Sequence, residues 1–228
     1  MYPMALTTGV PLAPATRAEW IEQQLADSIL DGTYAPGQRL LAARFTQEFG
    51  VSLTPLREAF QRLAGRGLVE IDPQRGARVS TVSPQDAKEL YDLRLLIEPV
   101  ALRDSVANLS DAAKAQLRPA FEEYKRLRQS EVADPGGIAQ AHRIFHDLLM
   151  SGTPSLRMRT LVATLGDHAR RYAAATVEDP VAHRDPVAEH EALLTAALAG
   201  DADGCRDLLT QHLEVGLRWA KRRLCDSS

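Results

Sequence analysis

Beyond Ser83 and Pro84 the sequence shows no alternating strand pattern, and its apolar residues recur only at helical spacing. The stretches DPGG, SGTP, EDP and GDADG interrupt this pattern and mark loops. Six helices are predicted, over residues 84–108, 110–129, 135–151, 154–176, 184–199 and 202–223. Pro119 lies inside the second helix and should kink or split it. Helices joined by such short loops predict an all-α antiparallel bundle over residues 84–223.

The N-terminal third of the chain follows a different pattern. Residues 1–15 contain three prolines and no periodicity, which indicates a mobile arm. Two helices are predicted over residues 16–32 and 41–49, and a PGQRL turn separates them. A third helix is expected to follow, with Thr54 as its cap and Pro55 as its first residue. The stretches LVEI and ARVS, separated by DPQRG, predict a β-hairpin. This order predicts a winged helix-turn-helix with a small hairpin wing over residues 16–80.

Composition places the chain among ordinary globular proteins. It has 228 residues, enough for two domains of unequal size, with 45% hydrophobic and 25% charged residues. The sequence contains no run of 18 or more apolar residues and no signal-peptide pattern. Cys205 and Cys225 are too few for a disulfide framework and lack CxxC spacing. We therefore expect a cytoplasmic protein.

The net charge of −3 conceals an uneven distribution. Residues 57–78 contain five arginines and three acidic residues, whereas all six histidines lie at or beyond residue 142. A local excess of arginine is typical of contact with nucleic-acid phosphates, while histidines are suited to metal ligation. The two parts of the chain are therefore expected to perform different chemistry.

The segment EFGVSLTPLREAFQRL contains the parts of a DNA-reading helix-turn-helix, with a glycine at its tight turn. The hydroxyls of Ser52 and Thr54 and the forked guanidinium of Arg57 are candidate phosphate ligands at a helix N-terminus. At the wing tip, Arg75 could enter a neighbouring groove, and Gly76 permits close approach of the backbone. The alternative is a winged helix that serves only protein contacts.

The string PGQRL…FGVSLTPLREAFQRLAGRGLVE…RGARVS resembles the N-terminal domain of GntR-family transcription regulators, at the same spacing and in the same order. The resemblance implies binding to double-stranded operator DNA. Leu53 stands where the family usually has an arginine, and Ala42-Ala43 replaces an acidic-basic pair. Arg44, one position further on, is included among the candidate DNA contacts.

Four histidines are predicted to point into the helical bundle. His142 and His146 stand four apart on a helix face that is otherwise apolar, and His190 and His212 lie on apolar faces of two further helices. A buried imidazole without a partner is unfavourable, so convergence of four predicts a transition-metal site. The alternative is a metal-free bundle whose histidines hydrogen-bond one another or water.

The residues HRIFH, EH at 189–190 and HL at 212–213, with RxxxE at 94–98, resemble the FCD effector-binding domain of the FadR-like branch of this family. That domain usually holds its metal with one aspartate and three histidines, and His142 occupies the aspartate position. An imidazole in place of a carboxylate favours softer metals over Mg²⁺ or Mn²⁺, so Zn²⁺ or Ni²⁺ is the expected ion. Glu189 or Asp147 is a candidate hydrogen-bond partner for the ligand rings.

The resemblance also implies a small organic acid that contacts the metal and an arginine, which corresponds to Arg94. A structural salt bridge between Arg94 and Glu98, four residues on, is an equally weighted alternative. The complete interpretation is a dimeric, metabolite-responsive repressor that is not an enzyme. A metal-dependent phosphohydrolase using His146-Asp147 is the alternative function, although adjacent helical residues point about 100° apart.

Overall fold

The structure, a computed structural model, describes residues 16–72, 76–132, 134–174 and 186–226. These residues form nine α-helices and three β-strands, which confirms the predicted mostly α fold class. The predicted N-terminal arm and the predicted wing residue Arg75 lie outside the described residues. Within the described ranges, no helix is long and apolar enough to cross a membrane.

The first of two compact units runs to Ile29 and resumes over Gly37–Ser80. Its elements in chain order are α1 (Arg17–Leu30), β1 (Arg39–Leu40), α2 (Ala42–Phe49), α3 (Leu53–Gly65), β2 (Val69–Asp72) and β3 (Gly76–Val79). The antiparallel sheet has the order β1-β3-β2. The PGQRL segment, predicted only as a turn, contributes β1, in which Leu40 pairs with Ala77. The wing hairpin therefore has a third, very short strand beside it.

The helix-turn-helix depends on a left-handed residue between α2 and α3. Gly50 has φ of 61°, a region that glycine occupies without steric penalty, and its N–H donates to the carbonyl of Thr46. The inward faces of the two helices meet through Phe45 and Phe60, whose ring centroids are 6.2 Å apart in an edge-to-face arrangement. This packing fixes the direction in which α3 leaves the turn.

The start of α3 differs from the prediction. Ser52 has an extended backbone, with φ of −78° and ψ of 169°, and precedes the first helical residue, Leu53. Ser52, and not Thr54, therefore occupies the N-cap position, although its side chain makes no capping hydrogen bond. Pro55 is accommodated because N–H groups in the first helical turn have no acceptor within the helix. The hydroxyl of Thr54 consequently lies on the first turn itself.

The second unit comprises Leu30–Pro36 and the chain from Thr81 onward. It is an all-α antiparallel bundle in which α4 packs against α7 and α9, α5 against α6 and α8, and α8 against α9. The side chains of Ser83, Ser110 and Asp134 accept capping hydrogen bonds at the starts of three of these helices. The helices are α4 (Pro84–Val106), α5 (Asp111–Arg128), α6 (Pro135–Leu149), α7 (Leu156–Ala174), α8 (Pro186–Ala199) and α9 (Ala202–Asp226).

Helix α5 continues through Pro119 without a break, so the predicted split does not occur. An internal proline removes one backbone hydrogen bond and crowds the preceding turn. Leu117 and Phe121, on either side of it, are fully buried in the bundle core, and this packing offsets the local loss. Helix α4 likewise contains an internal proline, Pro99.

A hydrogen-bonded junction holds the end of α6 against α4. The Ser105 hydroxyl donates to the Leu149 carbonyl at 2.6 Å and accepts from the Gly152 N–H at 2.9 Å. A Cβ atom at residue 152 would stand 2.3 Å from the carbonyl oxygen of Ser105, so glycine is required for this close approach. The junction thereby fixes the helix that carries His142 and His146.

Candidate metal centre and DNA-binding surface

Four histidine side chains from three helices meet inside the bundle. His142 and His146 extend from α6, His190 from α8 and His212 from α9, and one ring nitrogen from each lies within 4.8 Å of the other three. The Nε2 atoms of His146 and His190 are 3.1 Å apart. Nitrogen ligands about 2.0–2.1 Å from a tetrahedral ion stand roughly 3.4 Å from one another. The cluster therefore has nearly the dimensions of a four-nitrogen metal site.

Two of the rings are oriented by hydrogen bonds on their outer side. His190 Nδ1 lies 2.5 Å from the Pro186 carbonyl oxygen, and His212 Nδ1 lies 2.9 Å from Glu189 Oε2. Both oxygens accept, so Nδ1 of each ring carries the hydrogen and Nε2 keeps its lone pair. That tautomer is the one in which Nε2 can act as a metal ligand.

Burial favours the neutral form of His146. Desolvation, reinforced by the neighbouring imidazoles and the guanidinium of Arg94, holds the pKa of His146 well below its ordinary value. A neutral imidazole retains the lone pair that binds a metal, whereas an imidazolium does not. His146 is therefore held in the form that can bind a metal cation.

Asp147, one of the two alternative outer partners, lies away from the candidate metal centre. Its exposed carboxylate contacts Arg143 Nη1 at 3.0 Å on the outer face of α6, while His146 faces inward toward His190. Of the two predicted outer partners, only Glu189 reaches a ring of the cluster. The same geometry separates the two members of the His146-Asp147 pair that the phosphohydrolase alternative requires.

Tyr124 is a residue of the centre that sequence reasoning missed. This buried side chain of α5 packs its ring 4.8 Å from the His190 ring and 5.6 Å from the His142 ring, measured between centroids. It follows Phe121 by three residues on the apolar face of α5, and that spacing was the only signal in the sequence. Tyr124 closes the side of the cluster that faces α5.

Arg94 forms the salt bridge that was one of its two predicted roles. Its Nε and Nη2 atoms bind the two oxygens of Glu98 at 2.7 and 3.1 Å, and the two side chains are only 14% and 6% exposed. Burial alone would lower the pKa of Arg94, but the charges of Glu98 and Tyr91 raise it. Arg94 also lies near enough to the cluster to influence His146. Arg94 therefore lies near the candidate metal centre while it forms the salt bridge with Glu98.

The predicted DNA contacts lie on the surface of the first unit. Ser52, Thr54 and Arg57 are exposed at the start of α3, and Gly76 is exposed at the start of β3 with φ of 84°. Arg44 is exposed on α2 and contacts Glu48 at 3.3 Å.

The arginines around α3 are not equivalent. Arg62 contacts Glu19 at 3.4 Å, Arg66 contacts Glu22 at 3.2 Å and Arg78 contacts Glu70 at 2.6 Å. Arg57, by contrast, has no carboxylate partner among the residues that the structure describes. A guanidinium without an internal partner is the one best suited to bind an external phosphate.

Comparison with known proteins supports the fold assigned to each of the two units. Residues 17–79 match the family of bacterial regulatory proteins, gntR family, and residues 89–215 match the FCD domain. The chain is 32% identical over 199 residues to the "Uncharacterized HTH-type transcriptional regulator BphR" of Paraburkholderia xenovorans (strain LB400), covering 86% of this chain and 81% of that protein. It is 26% identical over 195 residues to the "HTH-type transcriptional repressor GlaR" of Escherichia coli (strain K12), covering 83% and 89%.

The solved structure of E. coli McbR/YncC has a TM-score of 0.79 with 22% identity, covering 91% of this chain and 98% of that one, a likeness of fold. A winged helix-turn-helix and an FCD bundle in one chain define a DNA-binding transcriptional regulator. The chain belongs to the gntR family of bacterial regulatory proteins and carries an FCD domain, which confirms the predicted family. Regulators of this family usually act as dimers, and FCD domains often bind a metal.

Proposed function

We propose that the protein is a metabolite-responsive repressor that binds a two-fold operator as a homodimer. In this proposal residues 16–80 form the DNA-binding domain, and residues 84–223 bind a transition-metal ion and a small organic acid that modulates operator binding. The name of the GlaR relative supports repression over activation. Contact with the bacterial chromosome would place the protein in the cytoplasm.

One observation carries the metal part of the proposal. His142, His146, His190 and His212 bring four nitrogen atoms within 4.8 Å of one another in the interior of the bundle. Neutral imidazoles are suited to Zn²⁺ or Ni²⁺. Such an ion would add positive charge to a centre without a carboxylate among its four candidate ligands, and an anionic ligand would neutralise that charge.

Arg94 supports the choice of a carboxylate as the effector. It is a buried cation close to the cluster, and its guanidinium carries five N–H donors, so it can bind a second carboxylate beside Glu98. Effector binding would shift the equilibrium between bundle conformations and thereby change operator affinity. The coupling is tested by measuring operator affinity with and without Zn²⁺ across a panel of small carboxylic acids. An operator affinity that ignores every metal and every acid would contradict it.

Replacing Arg57 with alanine is expected to weaken DNA binding about tenfold on every sequence, because the change removes a phosphate contact and no base contact. The slope of log affinity against log salt should become shallower by about 0.9. Fluorescence anisotropy over a salt series measures both quantities. Arg62→Ala, on the same helix, is the matched control because Arg62 already pairs with Glu19. Equal binding by Arg57→Ala and the unchanged protein would exclude the phosphate role.

Replacing His142 with aspartate is expected to preserve metal binding and shift the preference between Zn²⁺ and Mn²⁺ toward Mn²⁺ by roughly tenfold or more, because a carboxylate is a harder ligand. Competition calorimetry with the two ions measures the ratio of affinities. Ile144→Asp places the same charge on the exposed side of α6 and should leave the ratio unchanged. An unaltered preference in His142→Asp would assign His142 to packing.

A further inference from the structure

The first residue of α3, the second helix of the helix-turn-helix, carries an exposed apolar side chain. Leu53 is 47% exposed, whereas the other large apolar side chains of this helix are buried in the core of the first unit, namely Leu56, Phe60 and Leu63. Leu53 therefore contributes little to that core. Its apolar surface is available to a partner of the protein.

The surroundings of Leu53 favour contact with DNA over contact with another protein. Its neighbours Ser52 and Thr54 are exposed, and Arg57 lies one helical turn further along the same exposed face of α3. A protein-binding surface is usually a contiguous apolar patch, but no second large apolar side chain of α3 is exposed beside Leu53. Hydroxyl and guanidinium groups contact phosphates and thereby fix the position of a recognition helix in the major groove. Leu53 stands at the end of the helix that such contacts would bring closest to the bases.

A leucine side chain can recognise one feature of the major groove. Thymine presents its C5-methyl group there, and an apolar side chain packs against that group favourably. Guanine presents two hydrogen-bond acceptors, O6 and N7, at the same edge. A leucine would remove water from these acceptors without offering a hydrogen bond in return, which is unfavourable. The side chain of Leu53 therefore favours thymine and disfavours guanine at the base that it contacts.

We propose that Leu53 determines part of the operator sequence by packing against the C5-methyl group of a thymine, at one base pair in each half of the operator. The inference rests on the proposed function, because it names a base pair within the operator that the repressor would bind. Arg57 would fix the position of α3 through a phosphate, whereas Leu53 would supply the preference for a base. A regulator with arginine at this position would instead bind guanine O6 and N7. The operator of this chain is thus expected to differ from the operator of such a regulator.

Selection from a library of random-sequence duplexes tests the base preference. The full-length protein should enrich sites with thymine at one position of each half-site. Leu53→Arg should enrich guanine at that position, and Leu53→Ser should enrich no base there while it retains the rest of the sequence. Leu41→Ser is the matched control, because Leu41 is 62% exposed but precedes α2, so this variant should select the unchanged sequence.

Removal of the methyl group from the DNA tests the contact without altering the protein. Deoxyuridine in place of that thymine in one half-site should weaken binding by roughly fourfold, the change in affinity that corresponds to one buried methyl group. Leu53→Ser should bind the two duplexes equally, and deoxyuridine at a thymine outside the selected site should have no effect on either protein. Fluorescence anisotropy measures the affinities.

The outcomes separate this inference from the proposed function. A selected site that contains no thymine dependent on residue 53 would overturn the contact and leave the proposed repressor intact. Equal affinity of the unchanged protein for the thymine and deoxyuridine duplexes would likewise overturn the methyl contact. Failure of the unchanged protein to enrich any sequence would overturn the proposed function as well.

Discussion

Replacing His190 with alanine is expected to abolish stoichiometric binding of Zn²⁺, with a loss of affinity of about 100-fold or more. The His190 ring is buried and lies within 5.1 Å, between centroids, of each of the other three imidazoles. Its truncation removes one candidate ligand and the ring that Pro186 orients. Metal content by mass spectrometry and affinity by chelator competition measure the loss.

Thermal unfolding provides an independent measurement of the same loss. With free Zn²⁺ at about 100 times its dissociation constant, the bound ion should stabilise the unchanged protein by about 2.7 kcal/mol, and His190→Ala should lose this increment. His168→Ala is the control, because His168 lies on α7 and is not a member of the four-histidine cluster. A His190→Ala variant that still binds one equivalent of Zn²⁺ at the original affinity would contradict the metal centre.

Replacing Glu98 with alanine is expected to lower the free energy of unfolding by about 3 kcal/mol, because removing one member of a buried ion pair leaves the other charge uncompensated. Arg94 would keep its guanidinium in a site that is only 14% exposed, without the carboxylate that now binds two of its nitrogens. Urea denaturation of the metal-free protein measures the change without interference from the candidate metal centre.

Two variants distinguish the effect of an uncompensated buried charge on stability from the effect of losing a side chain. Glu123→Ala removes a carboxylate that binds Arg126 in the same two-pronged way on the solvent-exposed surface of α5, and it should have little effect. The double variant Arg94→Leu with Glu98→Leu should recover much of the loss, because neither charge then remains. A Glu98→Ala change as mild as the Glu123→Ala control would show that the buried pair contributes little.

Local patterns predicted the helices of this chain well, and the misses have a common cause. Polar caps such as Ser110 mark helix starts by hydrogen bonds to residues three positions away, so they can be read from sequence. Strand β1 has only two residues, too few for alternation, and exists because β3 lies beside it. The continuity of α5 through Pro119 likewise depends on burial of its neighbours. Structure that depends on distant partners leaves little trace in a local pattern.

The same distinction applies to the candidate metal centre. Helical spacing indicates which face each histidine occupies, and a face is a local property. Glu189 and Asp147 are each adjacent in sequence to a histidine of the cluster. Glu189 on α8 contacts the His212 ring because α9 packs beside α8, whereas Asp147 contacts Arg143 instead. The contact of Tyr124 with two imidazoles depends in the same way on how α5 packs.

The two outer hydrogen bonds of the cluster differ in a way that bears on regulation. His190 bonds to Pro186, four residues back in its own helix, so movement between helices leaves that bond intact. His212 on α9 bonds to Glu189 on α8, so separation of these helices would break this bond. The orientation of the candidate ligand His212 is therefore coupled to the spacing of α8 and α9. Because thermodynamic coupling is reciprocal, occupancy of the centre would also draw α8 and α9 together.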